Sequence, residues 1–158
     1  MRPAFTAACA AAGALLLAAS AGCGRATGAP LGERLLAVEV GEGFAFAPNE
    51  LRCRAGQPVR LRLSSRLRGA SDLAHNVAVL AAGTDADAYG RASIEARAED
   101  QYVPPGFAAR TLAVSAFARG GEVVELAFVA PDRPGRYPIV CTFPGHCLLG
   151  MKATLTVE

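Results

Sequence analysis

The chain is short of several residue types. Its 158 residues include no tryptophan, two methionines and two histidines, and 19% are charged whereas 52% are apolar. This composition excludes a mainly disordered chain, and the length suits one domain. The net charge is only +2, so we expect no nucleic-acid partner, since such proteins usually carry a strongly basic face. Any site that needs an imidazole must use His75, His146 or both.

The first 22 residues are predicted to be a secretory signal peptide. Arg2 precedes an Ala- and Leu-rich run over residues 4–19 that is too short and too alanine-rich for a membrane span. Two processing sites compete. Residues 19–21 (ASA) suit ordinary cleavage, whereas the overlapping SAGC motif resembles a bacterial lipoprotein box in which Cys23 is lipidated. The lipoprotein box is the favoured interpretation, and it predicts export to the bacterial periplasm or cell surface with a lipid anchor at the N-terminus.

The rest of the chain divides into a linker and one domain. Residues 23–34 are small, polar and interrupted by Pro and Gly, which predicts a linker, and residues 35–158 form the predicted domain. Apolar residues there alternate with polar ones, as over residues 59–63 (VRLRL), and turns recur. This pattern predicts an all-β antiparallel sandwich of about seven or eight short strands.

Two features interrupt the strand pattern. Residues 84–87 (TDAD) resemble a capping box with Asp in place of Glu, and residues 88–100 predict one short helix that is interrupted by Gly90. Pro138 lies in the strand predicted over residues 137–141. Because proline cannot donate to a strand ladder, it predicts an edge position or a bulge.

Six arginines lie between residues 52 and 68. One interpretation is the solvated outer face of a sheet, because Arg60 and Arg62 alternate with apolar residues. The other is a docking patch for an acidic partner or a lipid surface.

The segment most indicative of function is CTFPGHCLLGM, in which Cys141, His146 and Met151 have the spacing C-x4-H-x4-M. A loop closed by Pro-Gly can turn the thiolate, imidazole and thioether toward one point, and His75 is the only other histidine. Thiolate and thioether are soft ligands, imidazole suits several transition metals, and a structural zinc site normally takes four stronger donors. Two His, one Cys and a weak axial Met form the blue-copper arrangement used for electron transfer.

These motifs resemble the cupredoxins, the blue type 1 copper proteins, and among them the azurins and bacterial auracyanins. The similarity rests on CTFPGH followed by Met151, on the upstream Ala74-His75-Asn76 and on residues 44–63 (FAFAPNELRCRAGQPVRLRL). The five-residue step from His146 to Met151 is closer to the auracyanins. The similarity covers about residues 36–158 and implies a Greek-key β-sandwich.

The resemblance implies a ligand set and a function. His75, Cys141 and His146 would bind one type 1 copper ion in a plane, with Met151 as the axial ligand. The protein would then carry single electrons between redox partners, such as a cytochrome, an oxidase or a reductase, without being an enzyme. We also expect a monomer.

The resemblance also assigns roles around the ligands. Ala74 would offer a distant backbone carbonyl, although the longer step from His146 to Met151 departs from the azurin pattern. The side chain of Asn76 would pin the ligand loop, and the backbone amides of Asn76 and Phe143 would donate to the Cys141 sulfur. Such outer contacts orient ligands and tune the redox potential.

A partner-docking surface is a further expectation from the resemblance. The edge of His146 would reach the surface within an apolar patch. The candidates for this docking patch are Phe143, Pro144, Leu148 and Leu149. Weak redox encounters of this kind use small interfaces.

Several alternatives stay open at this point. Cys53 and Cys147 could form a disulfide in an oxidising compartment. Otherwise Cys53 is a buried free thiol, and Cys147 is either a bystander or an alternative metal ligand. The function could also be copper delivery without electron transfer, or a thiol enzyme that uses Cys141 with a histidine as its base.

Overall fold

The computed structural model describes residues 31–41, 43–67 and 73–158. The predicted signal peptide (1–22), Cys23 and most of the predicted linker lie outside the described residues. The described chain contains the strands β1 (Arg34–Val40), β2 (Glu50–Cys53), β3 (Pro58–Ser65), β4 (Ala78–Leu80), β5 (Thr111–Val114), β6 (Val123–Val129), β7 (Gly135–Val140) and β8 (Lys152–Val157). Between β4 and β5 lie the helix α1 (Ala86–Ser93) and two 3₁₀ segments, Ala98–Asp100 and Pro105–Arg110. No described helix is long and apolar enough to cross a membrane.

The strands form two sheets. One has the order β1-β3-β6 and the other the order β2-β8-β7-β4-β5. Most neighbours are antiparallel, but β1 pairs with β3 and β2 with β8 in parallel. The expectation of a wholly antiparallel sandwich is therefore wrong for these two pairs. The chain crosses to the other sheet for β2 between β1 and β3, so β3 can return in the direction of β1.

The alternation along β3 places its apolar side chains between the sheets. Val59, Leu61 and Leu63 are at most 1% exposed, whereas Arg60 and Arg62 are on the outer face. The Arg60 guanidinium lies 3.2 Å from both Glu33 and Glu125. The described part of the arginine run thus has the character of a solvated sheet face whose charges are partly neutralised by exposed ion pairs.

Helix α1 begins and ends at other residues than expected. Its N-cap is Asp85, whose carboxylate accepts hydrogen bonds from the backbone N–H groups of Asp87 and Ala88. Thr84 is therefore not the cap, because the carboxylate one residue later takes up the free amides. The helix stops at Ser93, and extended backbone at Arg97 separates it from the next 3₁₀ segment.

Pro138 lies in β7, which is a central strand of its sheet. The predicted edge position is wrong for β7 as a whole, and its register with β8 has no bulge at Pro138, so the sheet accommodates the missing N–H in another way. Pro138 pairs with Thr154 of β8 on one side, whereas the ladder to β4 includes only Ile139 and Val140 of β7. The missing N–H therefore falls where the pairing with the short β4 has already ended.

The five-stranded sheet has apolar residues on both faces. Val77 and Val79 face the main core between the sheets, whereas Ala78 and Leu80 face a second, smaller core. In that second core they pack with Val140, Cys147 and Tyr89 of α1. Helix α1 therefore covers the outer face of the sheet, directly behind the loop that follows β7.

Candidate metal centre

Three of the predicted ligands converge at one end of the sandwich. His75 lies just before β4, and its backbone is fixed by two hydrogen bonds with Ala118 of 2.9 and 2.7 Å. Cys141 directly follows β7, and His146 lies in the loop beyond it. One ligand atom from each of the three side chains lies within 4.8 Å of the others, and all three residues are buried. The imidazole rings of His75 and His146 have centroids 5.0 Å apart.

The backbone of Met151 is hydrogen-bonded to two residues of this cluster, His146 and Cys141. It is fully buried in the main core, which also contains Cys141. The Met151 N–H donates to the carbonyl of His146 at 3.0 Å, and the Met151 carbonyl accepts from the N–H of Cys141 at 3.2 Å. These two hydrogen bonds close the loop between β7 and β8. They keep Cys141, His146 and Met151 close together.

The protonation of the cluster suits a metal site. Burial lowers the pKa of His75 and lowers the pKa of His146 to about 4, to which the neighbouring His75 also contributes. Both rings are consequently neutral at pH 7 and offer lone pairs. Burial raises the pKa of the Cys141 thiol to about 11, against the opposing effect of hydrogen bonds from the backbone amides of Asn76 and Phe143. Binding a metal must therefore release the thiol proton.

His75 provides the sharpest test of whether a metal fits. The residue is 2% exposed, and neither ring nitrogen has a hydrogen-bond partner among the described residues. An unpaired buried polar atom costs about 1–3 kcal/mol, so two on one ring call for an explanation. A soft or borderline metal held by imidazole and thiolate donors would satisfy the Nδ1 or Nε2 atom that faces the cluster.

Asn76, which the resemblance expects to pin the ligand loop, lies behind the predicted ligands. Its side chain is fully buried, and its carbonyl oxygen accepts the backbone N–H of Thr142 at 2.9 Å. Its amide nitrogen donates to the Thr142 hydroxyl at 2.9 Å, which in turn donates to the carbonyl of Gln101 at 2.6 Å. Thr142 and Gln101 were missed by sequence reasoning, because a threonine between Cys and Phe carries no signal for this bridge. Ala74 is buried beside His75.

Aromatic rings cover His146. The ring of Phe143 lies 4.5 Å from the imidazole and that of Phe44 lies 4.9 Å from it, between centroids. His146 is only 3% exposed, so these rings largely cover the edge that was expected to reach the surface. The sequence assigns Phe44 no role, because only the fold brings it beside the imidazole.

The four residues of the predicted docking patch lie in the loop on either side of His146. Phe143 and Pro144 are half-buried, whereas Leu148 and Leu149 are 39% and 62% exposed. The structure therefore brings an apolar surface and the His146 loop to the same end of the molecule.

Within the part of the chain that the structure describes, two cysteines lie outside the cluster, Cys53 and Cys147, and both are free and buried. Cys53 faces the main core at the end of β2, at the opposite end of the sandwich, whereas Cys147 lies in the small core under α1. The disulfide alternative is therefore wrong. Cys147 also lies outside the group of convergent donors, and its thiol, whose pKa burial raises to about 11, donates to the carbonyl of Ala86.

Comparison with known proteins identifies the family of this chain. The family model of copper-binding proteins of the plastocyanin/azurin family matches residues 33–158. The chain therefore belongs to this family, and the predicted cupredoxin-like sandwich and blue-copper class are confirmed. Together with the buried His–Cys–His cluster, the family supports one type 1 copper ion.

Two similar proteins are auracyanins of Chloroflexus aurantiacus. Auracyanin-B is 35% identical over 116 residues, which are 73% of this chain and 48% of that protein. Auracyanin-A is 34% identical over 120 residues, which are 75% of this chain and 70% of that protein. The chain thus spans about half the length of auracyanin-B. The solved structure of auracyanin A, described as a "blue" copper protein, superposes with a TM-score of 0.69 at 32% identity over 80% of this chain and all of that one.

Proposed function

We propose that this protein is a one-electron carrier in which His75, Cys141 and His146 would hold a single copper ion and Met151 would supply a weaker thioether donor. The observation that carries the proposal is the buried cluster whose donor atoms lie within 4.8 Å of one another. The donor set of two imidazoles, a thiolate and a thioether is that of blue-copper sites. When bound, copper supplies a Cu(II)/Cu(I) couple that accepts and releases one electron.

The protein's own contribution is to hold the donors still. His75 is fixed by its bridge to Ala118, and Cys141 by its hydrogen bond to the Met151 carbonyl. Asn76 joins the two segments through Thr142. A rigid donor set limits the rearrangement that accompanies a change of oxidation state. The hydrogen bonds that the backbone N–H groups of Asn76 and Phe143 donate to the Cys141 sulfur would tune the potential.

Partners would dock over the aromatic cover of His146. The proposed docking patch of Phe143, Pro144, Leu148 and Leu149 is extended by Phe44, which also contacts the imidazole. A small apolar surface suits brief encounters with a cytochrome, an oxidase or a reductase. We assign no catalytic residue, and the protein is proposed to act as a monomer.

The properties of Cys141 favour a carrier over a thiol enzyme. A nucleophilic cysteine needs an exposed and activated thiolate, whereas Cys141 is fully buried and burial raises its pKa to about 11. Copper delivery, the other alternative, usually relies on open sites rich in Met and His, and this chain has two of each.

Export and lipid anchoring complete the proposal. Residues 1–22 would be removed, Cys23 would carry the lipid, and residues 23–34 would link it to the domain over residues 35–158. The chain enters the sandwich at Arg34, which pairs with Val59 at the end opposite the His–Cys–His cluster. A membrane tether there would leave the docking patch facing away from the lipid. Mass spectrometry of the mature N-terminus tests this part.

Metal analysis combined with an absorption spectrum tests the central proposal. We expect one copper per chain and a strong visible thiolate-to-Cu(II) band. Cys141→Ser should abolish the band, whereas the matched control Cys53→Ser, which changes a buried thiol at the far end of the core, should keep it. A colourless protein that holds only Cu(I) would favour delivery, and ready alkylation of Cys141 in the copper-loaded protein would favour the enzyme.

A further inference from the structure

We propose that helix α1 is a brace for the segment that carries His146 and Met151, with Gly90 and Cys147 as the positioning residues at its point of contact. The inference rests on the proposed function for the ligand roles of His146 and Met151. It adds a part of the molecule outside the ligand loop that sets how that loop lies.

The packing of α1 against Cys147 requires a glycine at position 90. A Cβ atom at Gly90 would lie 2.9 Å from the Cβ and 3.0 Å from the Sγ of Cys147, and 3.2 Å from the Cδ2 of Leu148. The Cβ of Cys147 cannot yield without its backbone, so any larger residue at position 90 must push this segment away. Glycine is unfavourable in a helix interior, and here it lets α1 pack directly on the loop.

Two polar contacts hold α1 against both ends of the same segment. The thiol of Cys147 donates to the carbonyl of Ala86 at 3.2 Å. The ammonium of Lys152, the residue after Met151, lies 2.7 Å from the carboxylate of Asp87. The helix therefore contacts the chain directly after His146 and again directly after Met151.

The segment between these contacts is internally bonded and moves as a unit. Leu149 donates to the carbonyl of Gly145, Gly150 to that of Cys147, and Met151 to that of His146, at 3.0–3.1 Å. A displacement at Cys147 is therefore transmitted to the neighbouring His146, because close-packed, bonded groups shift together.

Cys147 acts on the site through position alone. Its side chain lies in the small core under α1, on the other side of the sheet from the main core that holds Cys141 and Met151. The contact between Gly90 and Cys147 therefore supplies no ligand, and it changes the site only by moving the ligand loop.

The test begins with Gly90→Ala. We expect the thiolate-to-Cu(II) band and the reduction potential to change, because the added methyl group displaces the loop. In the copper-free protein, we expect amide hydrogen exchange at Leu149, Gly150 and Met151 to become about tenfold faster, since the loop opens more readily once the brace is displaced. Gly106→Ala is the matched control, because a Cβ there meets nothing within 4 Å, and it should leave all three readouts unchanged.

A size swap tests the contact itself. Gly90→Ala combined with Cys147→Gly restores the lost space and should return the band and the potential toward the original values. If Gly90→Ala does not fold, Cys147→Ala, which removes only the sulfur and its hydrogen bond, should still accelerate exchange at the same amides. The brace is overturned if Gly90→Ala behaves like Gly106→Ala, if the swap restores nothing, or if Cys147→Ala leaves the exchange unchanged.

These outcomes are separable from the proposed function. An original protein that lacks the visible copper band refutes the carrier proposal, whereas the exchange rates of the copper-free variants still decide whether α1 braces the loop.

Discussion

Asn76 and Thr142 join the two segments that carry His75 and Cys141. The Asn76 side chain both accepts from the backbone N–H and donates to the hydroxyl of Thr142, at 2.9 Å in each case, and both residues are fully buried. Each residue directly follows a predicted copper ligand. The pair therefore couples the position of the imidazole just before β4 to that of the thiol just after the neighbouring strand β7.

Removing this clamp should destabilise the fold. In Asn76→Ala the buried N–H of Thr142 loses its acceptor, which costs about 1–3 kcal/mol in the free energy of unfolding. Urea denaturation of the copper-free protein measures the loss. Thr142→Ser, which keeps the hydroxyl, is the control and should lie close to the original stability. An Asn76→Ala protein as stable as the original would show that the clamp contributes nothing.

Copper removal should lower thermal stability. A ligand that binds only the native state stabilises it by about 2.7 kcal/mol when its free concentration is a hundredfold above the dissociation constant. We therefore expect the unfolding temperature to fall on chelation and to recover on adding copper, as followed by calorimetry. Cys141→Ser should show little of this dependence, and an equal response in that variant would argue against Cys141 as a ligand.

The metal-free protein should lose stability as the pH falls from 6.5 toward 4. Burial lowers the pKa of His146 from 6.5 to about 4 and also lowers that of His75. In this window the unfolded chain binds more protons than the native one, so stability rises with pH. The change is on the order of 3 kcal/mol for His146. Denaturation at several pH values measures the slope, which should be flatter in a His75→Gln/His146→Gln variant; an equal slope would contradict the prediction.

Replacing Met151 should separate ligation from packing. Met151→Leu conserves volume and should change the unfolding free energy by less than about 1.5 kcal/mol. Loss of the thioether donor should raise the reduction potential, since a donor stabilises Cu(II) more than Cu(I). Voltammetry measures the potential. Leu61→Met, a similar exchange on β3 remote from the site, is the control. An unchanged potential in Met151→Leu would leave Met151 as a core residue only.

The ligand loop and the strands could be predicted because their signals are local. The spacing of Cys141, His146 and Met151 lies within one short segment, and the alternation around Leu61 is visible residue by residue. Contacts between distant segments that no family motif marks could not be predicted. The parallel pairing of β1 with β3 depends on where β2 crosses, and Gly90, which interrupts a helical pattern, is explained only by its contact with Cys147.

A charge placed on the docking patch should slow electron exchange without altering the site. Leu149 is 62% exposed beside the His146 loop, and Leu149→Lys would bring like charges together when two copies meet patch to patch. We expect the electron self-exchange rate, measured by NMR line broadening in mixtures of the oxidised and reduced forms, to fall about tenfold at low salt and to recover partly as salt screens the repulsion.

Val129→Lys is the matched control, because Val129 is similarly exposed at 65% but lies at the far end of β6. The absorption band should be unchanged in both variants, so a slower rate can be assigned to docking. If both lysines slow the exchange equally, the effect is one of net charge, and the patch is not the route by which electrons leave.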